Sequence, residues 1–303
     1  MTPRRLAEAA AALLLQRERR TLRALVRAER RTLGLLSRSV RPPIERATLS
    51  VLHAPAHDQV RIALATIRRT APRVQRALEE AIAEARVDAR IAGRDLLVGA
   101  YSVASPAPLS GRDEHDAAAA HTASSSWSAA WASAATALVL SGDDPARVLE
   151  AAARARSSRL GVIAATETAS AFNDERRRAF DDLAKSSLAP ELFQVWSAVL
   201  DRKTCSFCFG KDGQMRALHE SFGDAPPVHP SCRCIVELVR VPRPERLEDI
   251  GIDYGSFKAE LRDVIRERRQ ESGRHAASFI TDSMEARRRS PTVLTGRFRH
   301  LGR

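Results

Sequence analysis

Residues 60–85 read VRIALATIRRTAPRVQRALEEAIAEA, and their apolar positions decide the fold class. Val60, Leu64, Ile67, Ala71, Val74, Leu78, Ala81 and Ala85 recur at alternating steps of four and three. A helix brings side chains at those steps back to one face, so the run is the seam of a coiled-coil-like helix, expected over 57–100. Pro72 interrupts it. Its ring removes a backbone donor and crowds the preceding turn, so a kink or split is expected there.

Working outward, residues 4–38 form a second amphipathic segment. Leu15, Leu22, Val26, Leu33 and Leu36 make its apolar stripe, Arg and Glu fill the other faces, and Pro42-Pro43 is expected to end it. The two helices fit an antiparallel hairpin, or equally two walls of a globular helical core. Residues 102–116, rich in Ser, Pro, Gly and charge, read as a linker. An Ala/Ser/Trp helix follows near 117–140, with Trp127 and Trp131 four apart as core anchors. Asp144 and Pro145 suit the cap and first position of a helix over 145–157, and a further helix is expected over 159–185. The character then changes. Phe193, Val195, Trp196 and Val199 favour a strand over 193–200, and Ile235–Val241 reads as its partner. A charged helix near 255–272 and a basic tail close the chain.

The bulk numbers agree with a helical protein. Of 303 residues, 44% are apolar and only 5% aromatic, and the net charge is +12. A basic balance suits work beside nucleic acid or an acidic protein surface, and equally a merely solvated arginine-rich helix face. No run of eighteen apolar residues is present, so no membrane span is expected. Met1–Leu6 and the Ala/Leu stretch after it read as an amphipathic helix and not a signal peptide. No Gly-rich phosphate loop, nucleophile elbow or His-Glu-x-x-His helix occurs. His53, His57, His115 and His121 fall in loop or linker contexts, and His219 in a surface loop.

All four cysteines lie between 205 and 234. Cys205 and Cys208 form a C-x2-C pair, whose tight turn aims two thiolates at one ion. Twenty residues on, His229, Cys232 and Cys234 form H-x2-C-x-C. A soft ion such as Zn2+ takes four S/N ligands in a tetrahedron. If the flanking strands pair antiparallel, the two half-sites meet at one end of the sheet. Five candidates then compete for four places: Cys205 and Cys208 with two of His229, Cys232 and Cys234. Such a closed site is structural, because a small two-stranded unit cannot hold itself without a staple. Two disulfides are the competing reading, and suit a secreted chain better.

At these residues the chain resembles the phage Mu F-like family of head morphogenesis proteins, also called minor capsid proteins. The likeness is carried by Trp196, Asp201, Thr204, Cys205, Cys208 and Gly213, and by His229-Pro230-Ser231-Cys232-Arg233-Cys234. Upstream it includes Thr166-Glu167 and Asn173, although Ala165 stands where the family tends to carry a basic residue. It covers about 145–241, a third of the chain. The resemblance implies a virion protein at the portal vertex or head interior, present in the host cytoplasm during assembly. It implies portal and/or major capsid protein as partners, a role in head assembly and DNA packaging or delivery, and no catalysis.

Two other readings compete. Arg287, Arg288 and Arg289, with Arg297 and Arg299, form a basic tail suited to sequence-blind contact with packaged DNA, and Arg176-Arg177-Arg178 is a second charge run. A zinc-dependent nuclease would need an open coordination position. Glu167 reads as a solvated helix residue, with a buried partner of an arginine such as Arg202 as the alternative. The expected architecture is mainly α: an N-terminal helical region (1–101), the linker, a central helical region (117–192), a small α+β zinc-binding module (193–241), and a C-terminal helix with a basic tail (242–303).

Overall fold

The computed structural model describes residues 2–101, 114–145, 147–198, 204–220 and 222–268. Helix α1 spans Pro3–Leu52, α2 Gln59–Tyr101, α3 Glu114–Leu140, α4 Val148–Ala155 and α5 Ser157–Ala184. Strand β1 (Leu192–Ser197), the short helix α6 (Ser206–Lys211), β2 (Met215–Ala217) and β3 (Ile235–Arg240) follow. A short α7 (Pro244–Glu248) leads into α8, helical over 254–268.

The start of α1 obeys local rules: the Thr2 hydroxyl accepts from the Arg5 amide, and Pro3 occupies the first turn, where its missing donor costs nothing. Its end does not follow the expectation, because α1 runs through Pro42 and Pro43 without a break. Val40, Ile44, Ala47 and Val51 pack with Ala63, Ile67, Val74 and Leu78 of α2 in one core. That burial on both sides of the prolines outweighs the lost backbone bonds. Pro72 is likewise inside a continuous α2.

The two helices form the antiparallel hairpin. Arg17 Nη1 donates to Tyr101 Oη at 2.6 Å, while Leu36 and Val51 lie in the core that holds Ala63 and Ile67. Trp127 and Trp131 of α3 and Leu149 of α4 complete that core. Both Trp rings are fully buried, with indole N–H groups donating to Arg156 O and Leu149 O at 3.3 and 3.2 Å. Gly93 marks a close crossing: a Cβ there would stand 2.6 Å from the Phe172 carbonyl oxygen of α5.

The expected stripe on α1 is displaced. Leu33 is exposed, and Leu15, Leu22 and Val26 are only half-buried. The buried face runs through Ala7, Ala11, Leu14, Glu18, Thr21, Leu25, Thr32 and Leu36. Three of these are polar and satisfied inside. Glu18 accepts from Ser197 Oγ at 2.5 Å, Thr21 donates to Glu237 at 2.8 Å, and Thr168 donates to Thr32 at 2.9 Å. On α2, Val60 is exposed, whereas Ile67, Val74, Leu78, Ala81 and Ala85 are buried as expected. The helix expected over 145–157 is shorter and begins at Val148, with the Asp144 carbonyl accepting from the Arg147 and Val148 amides. His115 and His121 lie on α3 and not in a linker.

The sheet has the order β2-β1-β3, and β1 pairs antiparallel with both neighbours. Strand β2 was not expected. Both faces of the sheet are covered. Leu192, Trp196, Val236 and Leu238 pack on Ala179, Phe180 and Leu183 of α5. Phe193, Val195 and Val239 pack on Ala7, Ala11 and Leu14 of α1 and on Phe257, Leu261 and Val264 of α8. Two-sided burial explains why β3 is a near-continuous apolar run. Among the described residues, no helix is long and apolar enough to cross a membrane.

Candidate metal centre

Strand register builds the site. Ser197 pairs with Ile235, so the chain leaves β1 and enters β3 at the same end of the sheet. Gly213 closes the segment between β1 and β2. Its φ of 78° lies in the left-handed region, and its amide donates to Trp196 O at 2.8 Å. Cys205 caps α6, its sulfur accepting from the Cys208 amide at 3.3 Å. One turn of helix therefore holds the C-x2-C pair.

The second half-site is held from behind by α5. Thr166 Oγ1 accepts from the Ser231 amide at 2.9 Å, at a residue whose φ is 61°. Asn173 Nδ2 donates to Cys234 O at 3.1 Å, and Arg176 to Val236 O at 2.9 Å. Tyr101 of α2 donates to Leu238 O at 2.8 Å. Burial pushes the Tyr101 phenol up to about 12, so it remains a donor. Carbonyls 234, 236 and 238 face away from β1 and are capped by three side chains, which closes the outer edge of β3 to another strand.

The five candidate ligand residues line one small cavity in two overlapping groups of three. His229 Nε2 lies 3.1 Å from Cys205 Sγ and 3.2 Å from Cys208 Sγ, and Cys208 Sγ lies 3.7 Å from Cys232 Sγ. Cys205, Cys208 and His229 form one candidate group and Cys208, Cys232 and Cys234 a second, with Cys208 common to both. Cys208, Cys232 and Cys234 are buried, and Cys205 is half-buried. A sulfur–sulfur edge of a zinc tetrahedron with bonds of ~2.3 Å is about 3.8 Å, so the Cys208–Cys232 separation suits shared ligation and exceeds a disulfide bond. The cavity lined by these residues, Thr204, Ser231 and Arg233 measures about 20 Å³, room for one small ion.

The electrostatics favour at least one thiolate. Hydrogen bonds from Cys208 and then Cys234 hold the Cys232 thiol far below its ordinary value, while the hydrogen bond to Cys232 and burial push Cys208 up. The hydrogen bond with Cys208 pulls the Cys234 thiol down, but the hydrogen bond and charge of Cys232 together with burial push it up on balance, and the Trp196 indole N–H opposes that rise only weakly. Trp196 is fully buried and meets Phe222 edge-on at 5.6 Å. His229 Nδ1 lies 2.9 Å from Pro230 O, an arrangement that leaves Nε2 as the ligand nitrogen.

Cys232 and Cys234 both face inward and Arg233 is half-exposed, but they precede β3 and do not lie within it. Glu167 is not a solvated residue. It takes a 2.6 Å ion pair from Arg86, which is 1% exposed and also pairs with Asp116 at 2.6 Å. Burial raises the Glu167 carboxyl, and Arg86 acts against that shift. Asp201 and Arg202, and Arg287, Arg288, Arg289, Arg297 and Arg299, lie outside the described residues. Arg176 is no surface charge: it is 1% exposed and pairs with Glu237 at 3.1 Å. Glu237 had a sequence signal, a lone carboxylate inside an apolar strand; Arg86 and its partners, spread over three helices, had none.

Residues 140–237 match the family model described as Phage Mu protein F like protein. No curated protein and no solved structure matches the chain. The matched segment begins at the end of α3 and takes in the five candidate ligands, Trp196 and the α5 residues that brace the second half-site; over 140–237 the chain is similar to the Mu F-like phage proteins.

Proposed function

We propose that the protein is a structural component of a tailed-phage head, acting in head morphogenesis, and that its metal centre is a Zn2+ staple. The observation that carries this reading is the coincidence of the family match with five S/N donors lining an ion-sized cavity. Four of Cys205, Cys208, His229, Cys232 and Cys234 hold the ion, whose charge would keep the thiolates ionised and join the α6 turn to the base of β3. A fully occupied tetrahedron leaves no position for an activated water, so the staple reading is favoured over a zinc nuclease.

Within the head, the portal vertex or the capsid interior is the proposed location, with portal or major capsid protein as the partner and the host cytoplasm as the place of assembly. The test has two parts. Purified protein should carry one zinc per chain by elemental analysis, and tagged protein should co-purify with assembled heads at low copy number. Metal-free protein with unchanged folding would remove the staple, and absence from heads would remove the assembly role. Cobalt substitution identifies the ligands: whichever of His229→Ala, Cys232→Ala and Cys234→Ala leaves the cobalt spectrum intact marks the spared donor.

A further inference from the structure

Helix α1 buries one face and turns an unusual one to solvent. Between residues 16 and 38 its exposed side presents Arg19, Arg20, Arg23, Arg27, Arg30 and Arg31, and Arg38 extends the row. At about 100° per residue these seven side chains fall within about 120° of arc, along about 28 Å of a single helix. No acidic residue lies in that arc. The segment holds only Glu18, which is buried against Ser197, and Glu29, which is half-buried on another face. None of the seven arginines has a hydrogen-bond or ion-pair partner among the described residues. Some exposed arginines elsewhere are paired at short range, as Arg41 is with Glu45 at 2.5 Å and Arg154 with Glu150 at 3.3 Å.

A row of unpaired like charges is a cost that a polyanion relieves. Successive guanidiniums at three- and four-residue steps rise about 4.5–6 Å, a spacing that follows a chain of phosphates. The arc contains no aromatic or large aliphatic side chain. A protein interface would need a buried apolar anchor, and insertion into lipid would need an apolar face, so neither is favoured. On one flank a groove of about 380 Å³ separates Arg27, Arg31 and Arg38 from Glu84 and Asp88 of α2. These two acids border the row and leave Arg19, Arg23 and Arg30 facing outward.

We propose that this arginine face of α1 binds the phosphate backbone of nucleic acid, without reading sequence. The site shares no residue with the metal centre or with the basic stretch after residue 268.

The experiment uses the full chain and a random-sequence DNA duplex, with binding followed by fluorescence anisotropy from 50 to 300 mM salt. The wild type should show a steep linear loss of affinity with log salt. Arg23→Ala/Arg27→Ala/Arg30→Ala should flatten the slope by about 2.7, from three lost phosphate contacts at ~0.9 each. Arg23→Lys/Arg27→Lys/Arg30→Lys should keep the slope. Alanine at exposed helix positions favours the helix, and circular dichroism verifies that the variants fold. Three outcomes overturn the proposal: no duplex binding by the wild type, unchanged binding by the alanine variant with loss only in Arg287→Ala/Arg288→Ala/Arg289→Ala, or binding to vesicles with 30% anionic lipid but not to DNA. Zinc content is measured in parallel, so failure here is distinguishable from failure of the metal reading.

Discussion

Arg176 lies inside the protein with its guanidinium 5.8 and 5.6 Å from the ring centroids of Phe172 and Phe180, donating to Val236 O and paired with Glu237. Removing one partner of such a pair leaves a charge stranded in a poor solvent. Arg176→Met is therefore expected to cost about 3–5 kcal/mol, measured by urea unfolding. Arg176→Met/Glu237→Leu should recover part of that loss, because the stranded carboxylate goes too. Glu191 gives the pH counterpart. Burial pushes its carboxyl up, but hydrogen bonds from Arg240 and Arg243 outweigh this and hold it below the ordinary 4.5. A depressed carboxylate stabilises the fold above its unfolded-state value and loses that contribution as pH falls through the folded-state value. Acid titration of stability should thus show a component below pH 4.5 that Glu191→Gln abolishes. Neither residue was assigned a partner from sequence, since the groups that satisfy them come from other elements.

At the scale of elements, helix existence was legible and helix limits were not. The four-and-three rhythm of α2 and the Trp pair of α3 identify their helices and core faces, because periodicity reflects one-sided burial directly. Proline misled at 42 and 43, since tertiary burial on both sides of a proline outweighs a local cost of about 3 kcal/mol each, and Pro72 does not split α2. That cost is still present. Pro72 is exposed, so Pro72→Ala should restore a donor and raise stability by about 1–3 kcal/mol in thermal or urea unfolding. The grouping of the Cys and His residues was legible from spacing, but β2, α6 and the bracing by Thr166 and Asn173 were not. Because α5 and α2 hold β3 without the ion, a strong chelator should loosen 204–234 alone. Hydrogen exchange should become fast over that segment while amides of α3 stay protected; uniform exposure of the whole chain would contradict a local staple.

At the scale of the molecule, the Mu F-like segment is not self-sufficient. Its sheet takes one cover from Ala7, Ala11 and Leu14, and its buried polar groups take partners from Glu18 and Thr21. All of these lie outside 140–237. A fragment of residues 140–241 is expected to expose apolar surface and bind a hydrophobic dye even when loaded with zinc. Adding residues 1–101 in trans should suppress that signal.

Sequence alone determined the helical class, the antiparallel strand pair and the five candidate ligands. Each depends on residues near one another along the chain: a rhythm, a turn, a C-x2-C spacing. Tertiary structure alone decided that Glu18, Thr21, Thr32, Arg86 and Arg176 are interior residues. A polar side chain is buried only when a distant element brings its hydrogen-bond partner, and no local pattern in the chain encodes that meeting.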